Sequence, residues 1–178
     1  ITCYSWLVMK KLKVTKHNAL IKSSYRLSLM EIRIVLYGIS LINSVTKEFP
    51  TSYIISIDKF SSIFDIKKSR LYKDIKEVVT KKFWERDFSY VDEKGYTLTY
   101  RWLSGIKYHA KKGHIEIFYN PLIQPLLNDL RNCFTTYHLE RVSEMKSIYS
   151  IRVYELCIME FNKSKNPKKV ITFYINIT

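Results

Sequence analysis

The residues most able to do chemistry in this chain are four histidines, three cysteines and an abundance of tyrosines. A DNA-nicking centre needs two histidines flanking one residue to hold a metal, beside a nucleophilic tyrosine. No His-x-His pair occurs among His17, His109, His114 and His138. His109 and His114 flank a turn at Ala110 to Gly113 and face each other across a hairpin, which gives at best a weak, adventitious metal site. Cys3, Cys133 and Cys157 are odd in number and match neither a disulfide framework nor a zinc spacing. Cys133 and Cys157 read instead as small buried hydrophobes in a reducing cytoplasm. Gly38, Gly95, Gly105 and Gly113 stand alone, so no glycine loop cradles a phosphate. The carboxylates are scattered, mostly beside Lys or Arg. The expectation is a protein that is not an enzyme, with no metal and no cofactor.

Basic residues carry a stronger signal. Lys and Arg number 30 against 16 Asp and Glu, a net charge of +14 in 178 residues. Such a charge implies a polyanionic partner. Between Ile66 and Arg86 stand eight basic and three acidic residues. Lys67, Lys68, Arg70, Lys73 and Lys76 are the candidate DNA contacts there, because the amino end of a helix already favours phosphate. Lys111 and Lys112, at a hairpin tip, are further phosphate candidates. Membrane spanning is not expected. The longest uncharged stretch, Ile34 to Thr46, falls short of the ~20 residues a bilayer requires. An apolar start precedes Lys10 and Lys11, the reverse of a secretory signal. Residues 1–13 read as a leader, with Met9 a possible natural start.

The elements that must position these residues follow from periodicity and punctuation. Lys13 to Ser23 holds at most a short strand. Ser28 and Glu31 make a capping box for a helix over Leu29 to Asn43. That helix is apolar nearly all round and therefore central, although its β-branched residues favour a strand. Tyr53 to Ile57 is a short strand, and Asp58 caps a helix reaching Phe64. A second helix spans Ser69 to Arg86, with Leu71, Ile75, Val78, Val79 and Phe83 inward. Phe88 to Val91 turns into one long strand, on which Tyr96, Leu98, Tyr100, Trp102, Ile106 and Tyr108 share a face. A further strand carries Ile115 and Ile117. Asn120-Pro121 opens a helix to about Arg131. Others follow over about Thr136 to Lys146 and Ser147 to Phe161, then a basic connector and a strand at Val170 to Ile177.

Helix, short helix, basic helix, hairpin is the order of a winged helix. The expected fold is α+β: a helix-turn-helix, a β-hairpin wing at Phe88 to Tyr100, and additional C-terminal helices. Several stretches then align with a known family. They are Val14 to Ile21, Tyr25-Arg26-Leu27-Ser28, Glu31-Ile32-Arg33, Arg101-Trp102, Tyr108, Ile115-Glu116-Ile117 with Asn120-Pro121, and Phe134-Thr135-Thr136-Tyr137. The most specific is Lys146-Ser147-Ile148-Tyr149-Ser150-Ile151-Arg152-Val153-Tyr154-Glu155-Leu156. Over about Val14 to Phe161 the chain resembles the plasmid replication initiator (Rep) family of tandem winged-helix proteins, and within it the N-terminal domain.

The resemblance implies origin-iteron DNA as a double-stranded partner, a homodimer formed through this domain, and host replication proteins as further partners in the cytoplasm. Residues 14–162 would be the domain, and 163–178 the connector and first strand of a second winged helix. An open long hairpin edge agrees with the implied dimer. Its candidate interface is Tyr96, Leu98, Tyr100, Trp102, Ile106, Tyr108, Ile115 and Ile117. Arg152 reads as structural, pairing with Glu155 one turn on or with an acid on a neighbouring helix. Three other readings stay open: an assembly module with only charge-driven DNA affinity, a winged-helix transcriptional repressor, and an RNA-stacking sheet made of the rings at 96–108. The last competes with those rings being a plain core face.

Overall fold

The computed structural model describes residues 12–45, 49–50, 52–81, 83–109 and 113–164. The expected leader up to residue 11 and the strand at Val170 to Ile177 lie outside them, as do Lys111 and Lys112. Lys13, counted with the leader, already belongs to a strand.

The central element is α2 (Leu29–Ser40). Ser28 accepts from the Glu31 N–H and the Glu31 carboxylate accepts from the Ser28 N–H, so the capping box forms as expected. Ile32, Ile34, Val35, Leu36, Tyr37 and Ile39 are all buried. Packing on several sides, against the strands Lys13–His17 (β1) and Tyr53–Ser56 (β2) among others, outweighs the β-branched preference for a strand.

Around α2 the chain builds a winged helix. β2 (Tyr53–Ser56) leads into α3 (Ile57–Phe64), whose N-cap is Ser56 rather than Asp58. α4 (Lys68–Lys81) follows, then one 3-10 turn at Phe83–Glu85, so the helix expected to reach Arg86 stops short and a separate turn precedes Arg86. A three-stranded antiparallel sheet runs in the order β2, β6 (His114–Tyr119), β5 (Leu103–His109). Because β2 pairs with β6, the wing is the β5–β6 hairpin. The hairpin expected to be the wing is a separate two-stranded sheet, β3 (Asp87–Val91) with β4 (Thr97–Arg101), inserted between α4 and β5.

The long strand expected over residues 96–109 is thus two strands in two sheets. Trp102 sits at the break, fully buried, with its ring 4.6 Å from Phe88 and 5.5 Å from Tyr25. The Trp102 backbone N–H donates to the Arg86 carbonyl and its carbonyl accepts from the Asn120 backbone N–H, which closes the inserted hairpin at its base. A register shift between Leu103 and Gly105 also breaks the period of two.

Two expected helices fail. Asn120 caps only a 3-10 segment, Pro121–Leu126, with Pro125 inside it. Phe134–His138 is not the start of a helix but β7, paired antiparallel along its whole length with β1 (Lys13–His17). A short α1 (Asn18–Lys22) follows β1, and α5 (Glu140–Ser143) follows β7. α6 (Ile148–Lys163) closes the described chain as expected. Cys133 is exposed, with a left-handed φ of 55°, and Cys157 is half-buried; neither is the buried hydrophobe expected.

Candidate nucleic-acid interface

The basic helix is positioned by a tight turn. Asp65, in left-handed conformation (φ 49°), ends α3, a conformation Asp tolerates because its short polar side chain bonds locally. The Ile66 N–H donates to the Ser61 carbonyl, and the Ser61 hydroxyl donates back to the Ile66 carbonyl at 2.6 Å. Leu71, Ile75 and Val79 then hold α4 on the core. The opposite side of this helix is exposed and basic.

Lys67, Arg70 and Lys73 are exposed there and form no ion pair among the described residues. Lys68 pairs with Asp58 of α3 at 2.8 Å, an exposed contact of little energetic weight that still offsets its charge. Lys76 turns toward β5, its Nζ 5.3 Å from the centre of the Tyr108 ring. The turn and the helix therefore bring together three of the five expected cations, Lys67, Arg70 and Lys73, with no ion pair among the described residues.

At the mouth of the wing, His109 and His114 stand directly opposite each other with ring centres 4.5 Å apart. His109 Nε2 lies 3.1 Å from Glu116, which also accepts from the Ser52 hydroxyl. Those bonds, Ser52 first, hold the Glu116 carboxyl below its ordinary value. Among the described residues no group of three or more His, Cys, Asp or Glu side chains is placed to hold a metal ion. Nor is any described helix long and apolar enough to cross a membrane.

The residues expected at a dimer interface divide. Trp102, Ile115 and Ile117 are buried in the chain's own core and have no surface to offer a partner. They also withdraw Trp102 from any base-stacking face. Leu98, Tyr100, Ile106 and Tyr108 are half-buried, and only Tyr96 is widely exposed, at 65%. β4 and β5 each lie at an edge of their sheet.

Sequence reasoning missed a buried ionic cluster. Lys16 of β1 and Glu155 of α6 are both fully buried, with Nζ and Oε1 2.5 Å apart. The Tyr137 hydroxyl of β7 donates to the same Glu155 oxygen. Burial pulls the Lys16 ammonium below its ordinary value and pushes the Tyr137 phenol well above its own. Arg152 donates to the Tyr25 hydroxyl at 2.6 Å and to the Ser23 carbonyl at 3.1 Å, and its guanidinium lies 4.3 Å from the Tyr25 ring centre. It also stands 3.7 Å from Glu155, the pairing expected. Four segments thus meet on the most specific sequence motif. The available signal was Lys16 itself, a charge amid the buried residues of β1.

Residues 13–158 match the family model described as Initiator Replication protein, WH1. The chain belongs to this family. The WH1 chain is 27% identical over 168 residues to a replication initiation protein of Escherichia coli, covering 90% of this chain and 51% of that protein. It is 26% identical over 160 residues to an uncharacterized 27.6 kDa protein of the same organism, covering 84% and 67%. The WH1 chain therefore spans about half the length of the initiation protein it matches. Its fold is shared with the crystal structure of Pi initiator protein in complex with iteron DNA, at 20% identity and a TM-score of 0.70 over 84% of this chain and 64% of that one.

Proposed function

We propose that this WH1 domain belongs to a plasmid replication initiator and binds the phosphate backbone of double-stranded origin iterons. The single observation that carries this reading is the cationic face at α4, the second helix of a helix-turn-helix. Lys67, just before the helix, and Arg70 and Lys73 on it are exposed there without an ion-pair partner among the described residues. The domain binds and does not catalyse; the family is one of replication initiators. It acts in the cytoplasm with host replication proteins, and self-associates through the open edges of β4 and β5. Tyr96, Leu98, Tyr100, Ile106 and Tyr108 remain as contact residues, joined by Lys111 and Lys112 at the wing for DNA. Residues 14–162, with Lys13 added by its place in β1, form the folding unit, and 163–178 lead onward.

Salt dependence tests the reading. Each phosphate neutralised adds about −0.9 to the slope of log affinity against log salt. Reversing Lys67, Arg70 and Lys73 to Glu should flatten the slope by about 2.7 on that basis. An unchanged slope would place the duplex elsewhere. Sedimentation at tens of micromolar tests the second part: a strictly monomeric species removes the dimer.

A further inference from the structure

The helix-turn-helix turn has a second side. Behind it lies a groove of about 490 Å3, lined on its apolar part by Leu29, Ile63, Phe64 and Ile66 and on its polar part by Asp65, Glu140 and Glu144, with Arg33 and Lys146. That volume is in the range of ligand clefts. Ile63 and Phe64 are buried at its floor, while Asp65 and Glu144 are exposed. The Arg33 guanidinium lies 5.3 Å from the Phe64 ring centre and is committed through Nη2 to the carbonyls of Ser143 and Met145. Its Nε has no acceptor among the described residues.

In a chain of net charge +14, three carboxylates gathered around one apolar groove set it apart from the α4 face beside it. Asp65 marks the division: Lys67 and Lys68 follow it within three residues. Against these three carboxylates stand Lys146 and Arg33, the latter engaged with backbone carbonyls, so the rim is net acidic and favours neither a nucleic acid nor an uncharged ligand. We propose that the groove docks a short protein segment carrying bulky apolar side chains flanked by Lys or Arg. The apolar side chains cover the half-buried Leu29 and Ile66 above the buried Ile63 and Phe64, and the flanking cations meet Asp65, Glu140 and Glu144. A backbone carbonyl of the incoming segment supplies an acceptor for Arg33 after a small shift of its side chain. The site is independent of DNA binding, since it uses none of the free cations of α4.

The probe is a labelled Lys-Lys-Leu-Phe-Lys-Lys hexapeptide, read by fluorescence polarisation against the full chain. Two controls keep one feature each: Lys-Lys-Ser-Ser-Lys-Lys and Glu-Glu-Leu-Phe-Glu-Glu. The protein variant is Glu140→Lys with Glu144→Lys, the first at a half-buried and the second at an exposed position, with its thermal melt checked beside that of the parent. The expected result is that both controls, and the variant with the parent peptide, bind at least about tenfold more weakly, while duplex affinity of the variant does not fall. Equal binding by the serine peptide, or by the variant, overturns the proposal. Sedimentation covers the remaining occupant: a parent dimer that the variant converts to monomer assigns the groove to a second copy and also overturns it.

Discussion

Gly38 and Tyr119 show how one atom fixes a contact. A Cβ at Gly38 would stand 2.3 Å from the Tyr119 hydroxyl and 3.1 Å from Ile117. That hydroxyl donates to the Val35 carbonyl at 3.0 Å, so helix and sheet approach each other through the missing side chain. Intrinsic propensity favours Ala over Gly in a helix by about 1 kcal/mol, but overpacking reverses the sign here. Gly38→Ala is expected to destabilise by about 1–3 kcal/mol in urea titration, and Tyr119→Phe in that background to restore part of the loss. Strict additivity of the two changes would mean that they do not touch. Glu155 is the other decisive residue. Glu155→Gln leaves the Lys16 ammonium buried without its counter-charge, at a cost of about 3–5 kcal/mol. Joint replacement by Lys16→Met and Glu155→Leu should recover most of that stability. A double variant as unstable as the single one would show that packing, not charge, is what the pair supplies.

At the scale of elements, β1 is the one whose loss should be felt most. It pairs with β7 and carries both Val14 and Lys16 into the core. Removing residues up to His17 should abolish cooperative thermal unfolding, since β7 loses its ladder and Glu155 its cation; a sharp melt in the shortened chain would contradict this. The elements that sequence revealed are those with local causes. The capping box of α2, the amphipathic stripe of α4 and the α6 motif each declare themselves within one or two turns. Those that sequence concealed have distant causes. Phe134 to His138 is only five residues long, too short for a local pattern to decide, and the pairing with Lys13 to His17 makes it a strand. Alternation runs unbroken through Trp102, because a period of two records which face is covered and not which neighbour covers it. For the same reason both hairpins satisfy the order of a winged helix, and only the β2–β6 pairing tells the wing from the insertion. The free cations of α4 were legible in the sequence; the ion pair that offsets Lys68 was not, since Asp58 lies on another helix.

The whole molecule is rich in buried phenols. Burial raises Tyr25, Tyr119 and Tyr137 above the ordinary tyrosine value, and pushes Tyr37 and Tyr53 up to about 12. A raised folded value means that the folded state binds more protons, so the stabilisation is complete below the unfolded value of 10.0 and is lost as pH rises through the folded values. Lys16 and Arg33, both shifted downward by burial, act in the opposite sense, but they are two groups against these five. Unfolding should therefore set in above about pH 10, with tyrosinate absorbance rising in step with the loss of helix. Absorbance rising well before the helix signal falls would contradict the burial of these rings. The pairing of β1 with β7 also has a meaning in time. Thr15 bonds Thr136 across 121 positions of chain. At about 5–20 residues per second, a ribosome adds that stretch in roughly 6–24 s. For that interval the first strand has no partner, and the lysine that will be sealed beside Glu155 is still in water. A nascent chain halted before β7 therefore presents the open edge of β1 to proteases and chaperones, and one halted between β7 and α6 has its ladder but not the Glu155 partner of Lys16.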